Sequence, residues 1–148
     1  ELLVTIAGKE FNYPLTIDQL QEYTAKDGSL SFNIVDETSS NTIGHAKIIL
    51  QKCRQGKLDK IIIGDNQLRG KGLGSSIMKI LLQYSFLTLD LETIELYVYD
   101  WNKAGIRCYE KAGFTLHKKT ELITRFGQTS WRAFQMTISK KEWEKLYQ

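Results

Sequence analysis

The sequence predicts one domain of mixed α/β (α+β) class, with a mixed, mostly antiparallel central sheet flanked by helices. Three observations lead there. Short β-branched runs separated by turn residues occur towards both ends, so hairpins bracket the chain. Between them the apolar period switches from two to helical spacing and back, a β-α-β-α-β run. And 148 residues, 42% hydrophobic and 25% charged, can bury a core without disulfides or a structural metal. The domain is expected to take in residues 1–148.

Each element has its own signal. Pro14 precedes Thr16-Ile17-Asp18-Gln19, which has the form of a capping box, so a helix is expected from there to about Thr24. Residues 31–36 and 42–50 read as strands around the polar turn Glu37-Thr38-Ser39-Ser40-Asn41, a hairpin. Residues 59–64 are a short apolar strand. Leu73, Ile77, Ile80, Leu81, Tyr84 and Leu87 then recur at helical spacing, predicting an amphipathic helix of about four turns entered through a glycine-rich loop. Residues 93–99 form the next strand. Asn102 is an N-cap residue for a helix over 103–112, which Gly113 stops. Two long strands, 114–124 and 129–138, follow around Phe126-Gly127-Gln128. Ser139-Lys140-Lys141-Glu142 is a second capping box, opening a last short helix through Trp143 and Leu146.

Composition narrows the function. The net charge of +3 suits a protein that handles a small polyanion. Without a long Lys/Arg run or an aromatic-basic RNA motif, no nucleic-acid partner is expected. No stretch approaches the ~20 apolar residues of a membrane span, and no signal peptide is visible. Cys53 and Cys108 do not make a disulfide framework in a chain of this size, so reduced thiols and a cytoplasmic location are expected. Two histidines and no Cys-x-x-Cys give no metal-site spacing. The chain opens on Glu1 rather than Met, which leaves room for a portion of a longer protein.

The most informative segment is Arg69-Gly70-Lys71-Gly72-Leu73-Gly74, placed between a strand and a helix. Its spacing is not that of a P-loop, which needs Gly-Lys-Ser/Thr after four residues, nor of a Gly-x-Gly-x-x-Gly dinucleotide turn. Glycines leave no Cβ in the way, so successive N–H groups can converge on an anion at the positive end of the helix. A pyrophosphate is the natural guest, with Arg69 and Lys71 able to add charge. A tight strand-to-helix turn with no ligand uses the same glycines.

Arg69–Gly74 resembles the Gln/Arg-x-x-Gly-x-Gly/Ala signature of the GCN5-related N-acetyltransferase (GNAT) superfamily. Its members commonly continue with a strand, an Asn, and a helix that carries a Tyr and ends in Gly-Phe. Tyr97-Val98-Tyr99-Asp100-Trp101-Asn102, then Ala104, Tyr109, Lys111, Gly113 and Phe114, are similar to that pattern, with Asn102 and Tyr109 seven apart. Trp131, Met136, Glu142 and Trp143 resemble the subgroup that includes ribosomal-protein alanine N-acetyltransferases. The similarity covers residues 43 to 143.

The resemblance implies a single acetyltransferase domain whose first strand would precede Glu1-Leu2-Leu3. It implies direct transfer of an acetyl group from acetyl-CoA, as cosubstrate, to a primary amine of a small molecule or a peptide amino terminus. A non-catalytic acyl-CoA sensor on the same fold is the alternative, and a homodimer is compatible with either. The loop Arg69, Gly70, Lys71, Gly72, Leu73, Gly74 and Ser75 would hold the pyrophosphate. The pantetheine arm would lie like an added strand beside Ile62, Ile63 and Gly64. Gly64 reads equally as a strand end or as a close backbone approach, with a nearby N–H as oxyanion donor. Tyr109 would be the general acid for the departing thiolate, or a packed tyrosine. Asn102 would reach the pantetheine arm or serve only as the cap. Some relatives carry a glutamate base five residues before the Asn; here that position is Tyr97. No replacement base is evident: Asp65, Asp100, Glu95 and His45 are candidates by residue type alone, and water or backbone carbonyls are the other route for the proton. Phe11, Tyr13, Phe32, Tyr99, Trp101, Phe126 and Trp131 could line an acceptor pocket.

Overall fold

The computed structural model describes residues 16–24, 28–64, 68, 70–126 and 128–147. In order they form α1 (Ile17–Thr24), β1 (Ser29–Asp36), β2 (Asn41–Leu50), β3 (Gln55–Ile63), α2 (Leu73–Gln83), β4 (Thr93–Tyr99), α3 (Lys103–Lys111), β5 (Thr115–Phe126), β6 (Thr129–Ser139) and α4 (Lys140–Tyr147). The strands make one six-stranded sheet in the order β1-β2-β3-β4-β6-β5. Every neighbouring pair is antiparallel except β3 and β4. The expected mixed, mostly antiparallel sheet is therefore present.

The capping box at Ser139 forms in full, and that at Thr16 in its N-cap half. The Gln19 N–H donates to Thr16 Oγ1 at 3.3 Å. At α4 the exchange is reciprocal: Ser139 N–H donates to Glu142 Oε2 at 2.8 Å and Glu142 N–H to Ser139 Oγ at 3.3 Å. At α3 the Asn102 Oδ1 accepts from Gly105 N–H at 2.9 Å. Each bond satisfies a donor that the helix start leaves without an intrahelical partner.

Alternation along the strands sorts side chains to two faces. Ala46 and Ile48 of β2, Leu58 of β3, Ile94, Leu96 and Val98 of β4 and Met136 and Ile138 of β6 all enter one core. There they meet Ile77, Met78, Leu81 and Leu82 of α2, Ile106 of α3 and Trp143 of α4. So α2, α3 and α4 share one face of the sheet. On the other face lies Tyr23 of α1, whose carbonyl accepts from Lys47 Nζ at 2.5 Å; the same ammonium stands 3.5 Å from the Tyr23 ring centroid. Lys47 is buried, and these contacts offset part of its desolvation.

Three details differ from the sequence reading. β3 starts at Gln55, not residue 59. Gly56 hid that start, because glycine is a poor strand former; here its bare Cα is required, since a Cβ would come within 2.7 Å of Leu91 Cδ1 and 3.0 Å of Ile94 Cδ1. Secondly, β3 carries a bulge. Lys47 pairs with Asp59 and His45 with Ile62, so β3 has one residue more than β2 over that interval, and Lys60 takes φ 50°. The extra residue reverses the parity of the strand: Leu58 faces the core before it, and Ile61 and Ile63 pack against the core after it. Thirdly, the helix after the glycine loop changes type. Tyr84–Thr88 is a π-helical turn, with the Leu89 N–H donating to the Tyr84 carbonyl at 3.0 Å. The wider turn brings Phe86 inward and leaves Leu87 53% exposed. Ile80, expected on the apolar face, is 66% exposed, because the buried stripe runs through Met78 and Leu82 instead.

Candidate functional site

β3 and β4 are parallel, so the helices that follow them, α2 and α3, both begin at one end of the sheet. The carboxyl ends of adjacent parallel strands are where open α/β sheets take ligands. Here the two strands also part. Their ladder has three rungs, Gln55↔Thr93, Gly56↔Ile94 and Lys57↔Glu95. Beyond it β3 follows β2 as far as Ile63↔Gly44, while β4 follows β6 as far as Tyr99↔Ala133. A wedge opens between residues 58–63 and 96–99. The three-residue ladder and the Lys60 bulge together account for the divergence, since a bulge adds local twist.

Ile62, Ile63 and Gly64 stand at the mouth of this wedge on the β3 side. The Gly64 N–H donates to the Ile43 carbonyl at 2.9 Å, so that group is engaged within the sheet. Gly64 follows the last residue of β3, in keeping with its reading as a strand end, and the bulge of this strand lies at Lys60, where the register against β2 shifts.

Gly70 has φ 77° and Gly72 φ 84°, in the left-handed region, and Lys71 between them is not among the residues with positive φ. Alternating handedness turns successive N–H groups to one side, the geometry of an anion nest. Among the described residues, chain neighbours aside, nothing lies within 4 Å of where a Cβ would stand on either glycine. Gly72 caps α2 with no side-chain hydrogen bond. The Ser75 and Ser76 N–H groups both donate to the Gly72 carbonyl, at 3.0 and 3.3 Å, which leaves Leu73 and Gly74 as the first-turn donors without an intrahelical acceptor. Ser75 thus contributes no free N–H of its own. Arg69 lies outside the described residues, as do Asp65, Phe11 and Tyr13.

Gly74 does something else. Its Cβ would stand 3.1 Å from Cys108 Sγ, so the missing side chain allows α2 and α3 to approach. Tyr109 is the next residue of α3. Tyr109 packs on the core and its ring lies 6.2 Å from that of Phe114. Burial, with a smaller contribution from Cys108, pushes its phenol up to about 12. It holds its proton throughout the physiological range. Asn102 begins the same helix with its Oδ1 committed to the cap; any contact to a ligand would come from the remaining side-chain amide or the backbone.

The sheet face opposite the core carries the remaining candidates. Tyr97 occupies the β4 position where a carboxylate was sought, half-buried, and burial raises its phenol. His45 is held below its ordinary value, chiefly by burial and next by Lys47. Its Nε2 is buried with no hydrogen-bond partner among the described residues, and the lowered value leaves the ring neutral at neutral pH. Tyr99 stacks on Trp101, centroids 5.4 Å apart and planes 8° apart, and Trp131 meets both edge-on. That cluster closes the carboxyl end of β4. Phe32, by contrast, packs on the core against Tyr84. The Phe126 side chain lies outside the described residues. Cys53 and Cys108 are free thiols.

Comparison with known proteins agrees with this geometry. The probable N-acetyltransferase YjcK of Bacillus subtilis (strain 168) is 32% identical over 106 residues, 70% of this chain; the chain spans 56% of that relative's length. The spermidine N-acetyltransferase of Vibrio cholerae, solved in complex with CoA and spermine, superposes with a TM-score of 0.76 over 97% of this chain and 90% of that one, at 23% identity. A dodecameric structure of the Vibrio cholerae enzyme gives 0.73 over 88% and 76%, also at 23% identity. At those identities the structural likeness speaks for the fold. The match to the model of the acetyltransferase (GNAT) family runs from residue 2 to residue 114; it contains the parted strands, the glycine turn and the tyrosine-bearing helix, and the chain belongs to that family.

Proposed function

We propose that the chain is an acyl-CoA-dependent N-acyltransferase that moves an acetyl group from acetyl-CoA to a primary amine. The wedge between β3 and β4, lying beside a helix entered through Gly70 and Gly72, supports this reading most. An extended, amide-bearing arm fits between parted strands by adding backbone hydrogen bonds to them. A pyrophosphate fits the nest and the N–H groups of Leu73 and Gly74. When bound, acetyl-CoA supplies an acyl group activated as a thioester. Tyr109 keeps its proton and would donate a hydrogen bond to the departing thiolate; full transfer is uphill, from a phenol pushed up to about 12 to a sulfur of ordinary pKa about 8.5, and so is coupled to cleavage of the C–S bond, where charge builds on the sulfur. The attacking amine must be neutral, and its excess proton leaves through water or backbone carbonyls. A retained Tyr109 acid supports catalysis over a sensor that only binds acyl-CoA.

A small-molecule amine is the acceptor we favour, in line with the neighbours whose names specify spermidine. The resemblance to the alanine N-acetyltransferase subgroup rests on Trp131, Met136, Glu142 and Trp143. Met136 and Trp143 are core residues and Glu142 caps α4, so the fold alone accounts for three of the four. Free thiols support a reducing, cytoplasmic setting, and among the described residues no helix is long and apolar enough to cross a membrane. The test is release of free CoA from acetyl-CoA in the presence of alkylamines. Tyr109→Phe should lower kcat by about 10²-fold or more while the affinity for acetyl-CoA holds. An unchanged kcat would remove Tyr109 from the chemistry.

A further inference from the structure

Resting on the transferase reading, we infer that Glu95 forms the centre of a second cation subsite, which holds a distal ammonium of the acceptor. Glu95 is the last residue of β4 still laddered to β3, at the apex of the wedge. It lies on the face opposite the core, in one row with Tyr97 and Tyr99. Around it is a small polar cavity lined by Gln51, Gln55, Gly56, Thr93, Gln135 and Thr137. Two amides fix the carboxylate: Gln51 Nε2 donates to one oxygen at 2.9 Å and Gln135 Nε2 to the other at 2.6 Å.

Those donors are neutral, so they orient the charge without cancelling it. Lys57, opposite Glu95 in the ladder, has its ammonium over the Tyr97 ring, 5.5 Å from the centroid, and no ion pair to Glu95 forms among the described residues. A carboxylate offers about four acceptor sites, and two are used. The rest of the lining adds amide and hydroxyl oxygens. An anion held in place, with acceptors around it and no cation paired to it among the described residues, suits an ammonium with its three donors. No second or third carboxylate, histidine or thiolate accompanies it in the lining, so a metal ion fits less well.

The position determines which amine can use it. Along β4, Tyr97 and Tyr99 are two and four residues nearer the mouth of the wedge, about 7 and 13 Å at the usual rise. An acceptor reacting at the mouth places a second ammonium on Glu95 only if its two nitrogens are separated by that kind of span. The subsite therefore selects α,ω-diamines over monoamines of equal length.

The test is kcat/KM for 1,6-diaminohexane and for 1-aminohexane at saturating acetyl-CoA, in the wild type, Glu95→Gln and Gln51→Glu. The wild type should prefer the diamine. Glu95→Gln should reduce the diamine-to-monoamine ratio about ten- to hundredfold, as a charge-assisted contact becomes neutral. Gln51→Glu, which adds a carboxylate at the exposed rim, should raise the ratio, and it keeps the proposal testable if Glu95→Gln does not fold. A wild-type ratio near one, or a ratio that neither substitution moves, overturns the subsite and leaves the transferase reading standing. Turnover of neither amine overturns both.

Discussion

Gly74→Ala tests whether the third glycine of the loop serves packing rather than the anion. Alanine keeps the N–H and adds one methyl group, 3.1 Å from Cys108 Sγ, where a relaxed carbon–sulfur contact needs several tenths of an ångström more. Overpacking of that kind costs about 1–3 kcal/mol. Replacing glycine inside a helix returns about 0.5–1 kcal/mol, so the single variant should be destabilised by roughly 0–2.5 kcal/mol. The two terms separate in a double-mutant cycle with Cys108→Ala, which removes the sulfur. The helix gain is the same in both backgrounds and cancels, leaving the steric coupling of about 1–3 kcal/mol. Urea denaturation of the four proteins measures it, with equal m-values confirming two-state behaviour. Additivity within about 0.5 kcal/mol would refute the packing role and return Gly74 to the anion site.

Two further outcomes follow from the same geometry. Gly72→Asp places a β-carbon at φ 84° and a negative charge in the nest; affinity for acetyl-CoA should fall about hundredfold or more with two charge-assisted donors compromised, and retained binding in calorimetry would put the pyrophosphate elsewhere. Tyr109 titrates at about 12 when folded against 10.0 ordinarily. The raised value means that the folded state keeps the proton longer, so the stability it gives is complete below pH 10 and is lost as pH rises towards 12. Between pH 9 and 11 the wild type should lose roughly 1 kcal/mol relative to Tyr109→Phe; parallel pH profiles would show that the phenol is not buried as described.

Local signals carried most of the fold. Capping residues at Thr16, Asn102 and Ser139 marked their helices because each side chain bonds an adjacent backbone donor, a short-range event visible in four residues. The glycine turn was legible for the same reason. What escaped depends on distant partners. Gly56 belongs in a strand only because Leu91 and Ile94 press on it. The Lys60 bulge exists only against β2, so Ile61-Ile62-Ile63 could not be divided between faces from the sequence. The π turn at Tyr84–Thr88 is a compromise between helix period and core shape. β5 likewise bulges: His117 pairs with Gln135 and Glu121 with Phe134, leaving residues 118–120 without counterparts. At the site, Gly70, Gly72 and Tyr109 were readable as types in a spacing. The contact of Gly74 with Cys108 and the amide-held carboxylate at Glu95 were not, since both join residues far apart in the chain.

The three-rung junction has a mechanical meaning as well. It divides the sheet into two half-sheets, β1-β2-β3 and β4-β6-β5, whose shared ladder is confined to Gln55–Lys57; among the described residues the other ties include Gln51 to Glu95, Arg54 to Asp90 and Glu92, and the core. A guest lying in the gap would act as a splint, bridging both halves and adding rungs where the protein has none. Amide exchange should show this as protection gained along residues 58–63 and 96–99 when acetyl-CoA is present, with the β1–β2 and β5–β6 hairpins unchanged. The cosubstrate would then be, for as long as it stays, a seventh strand.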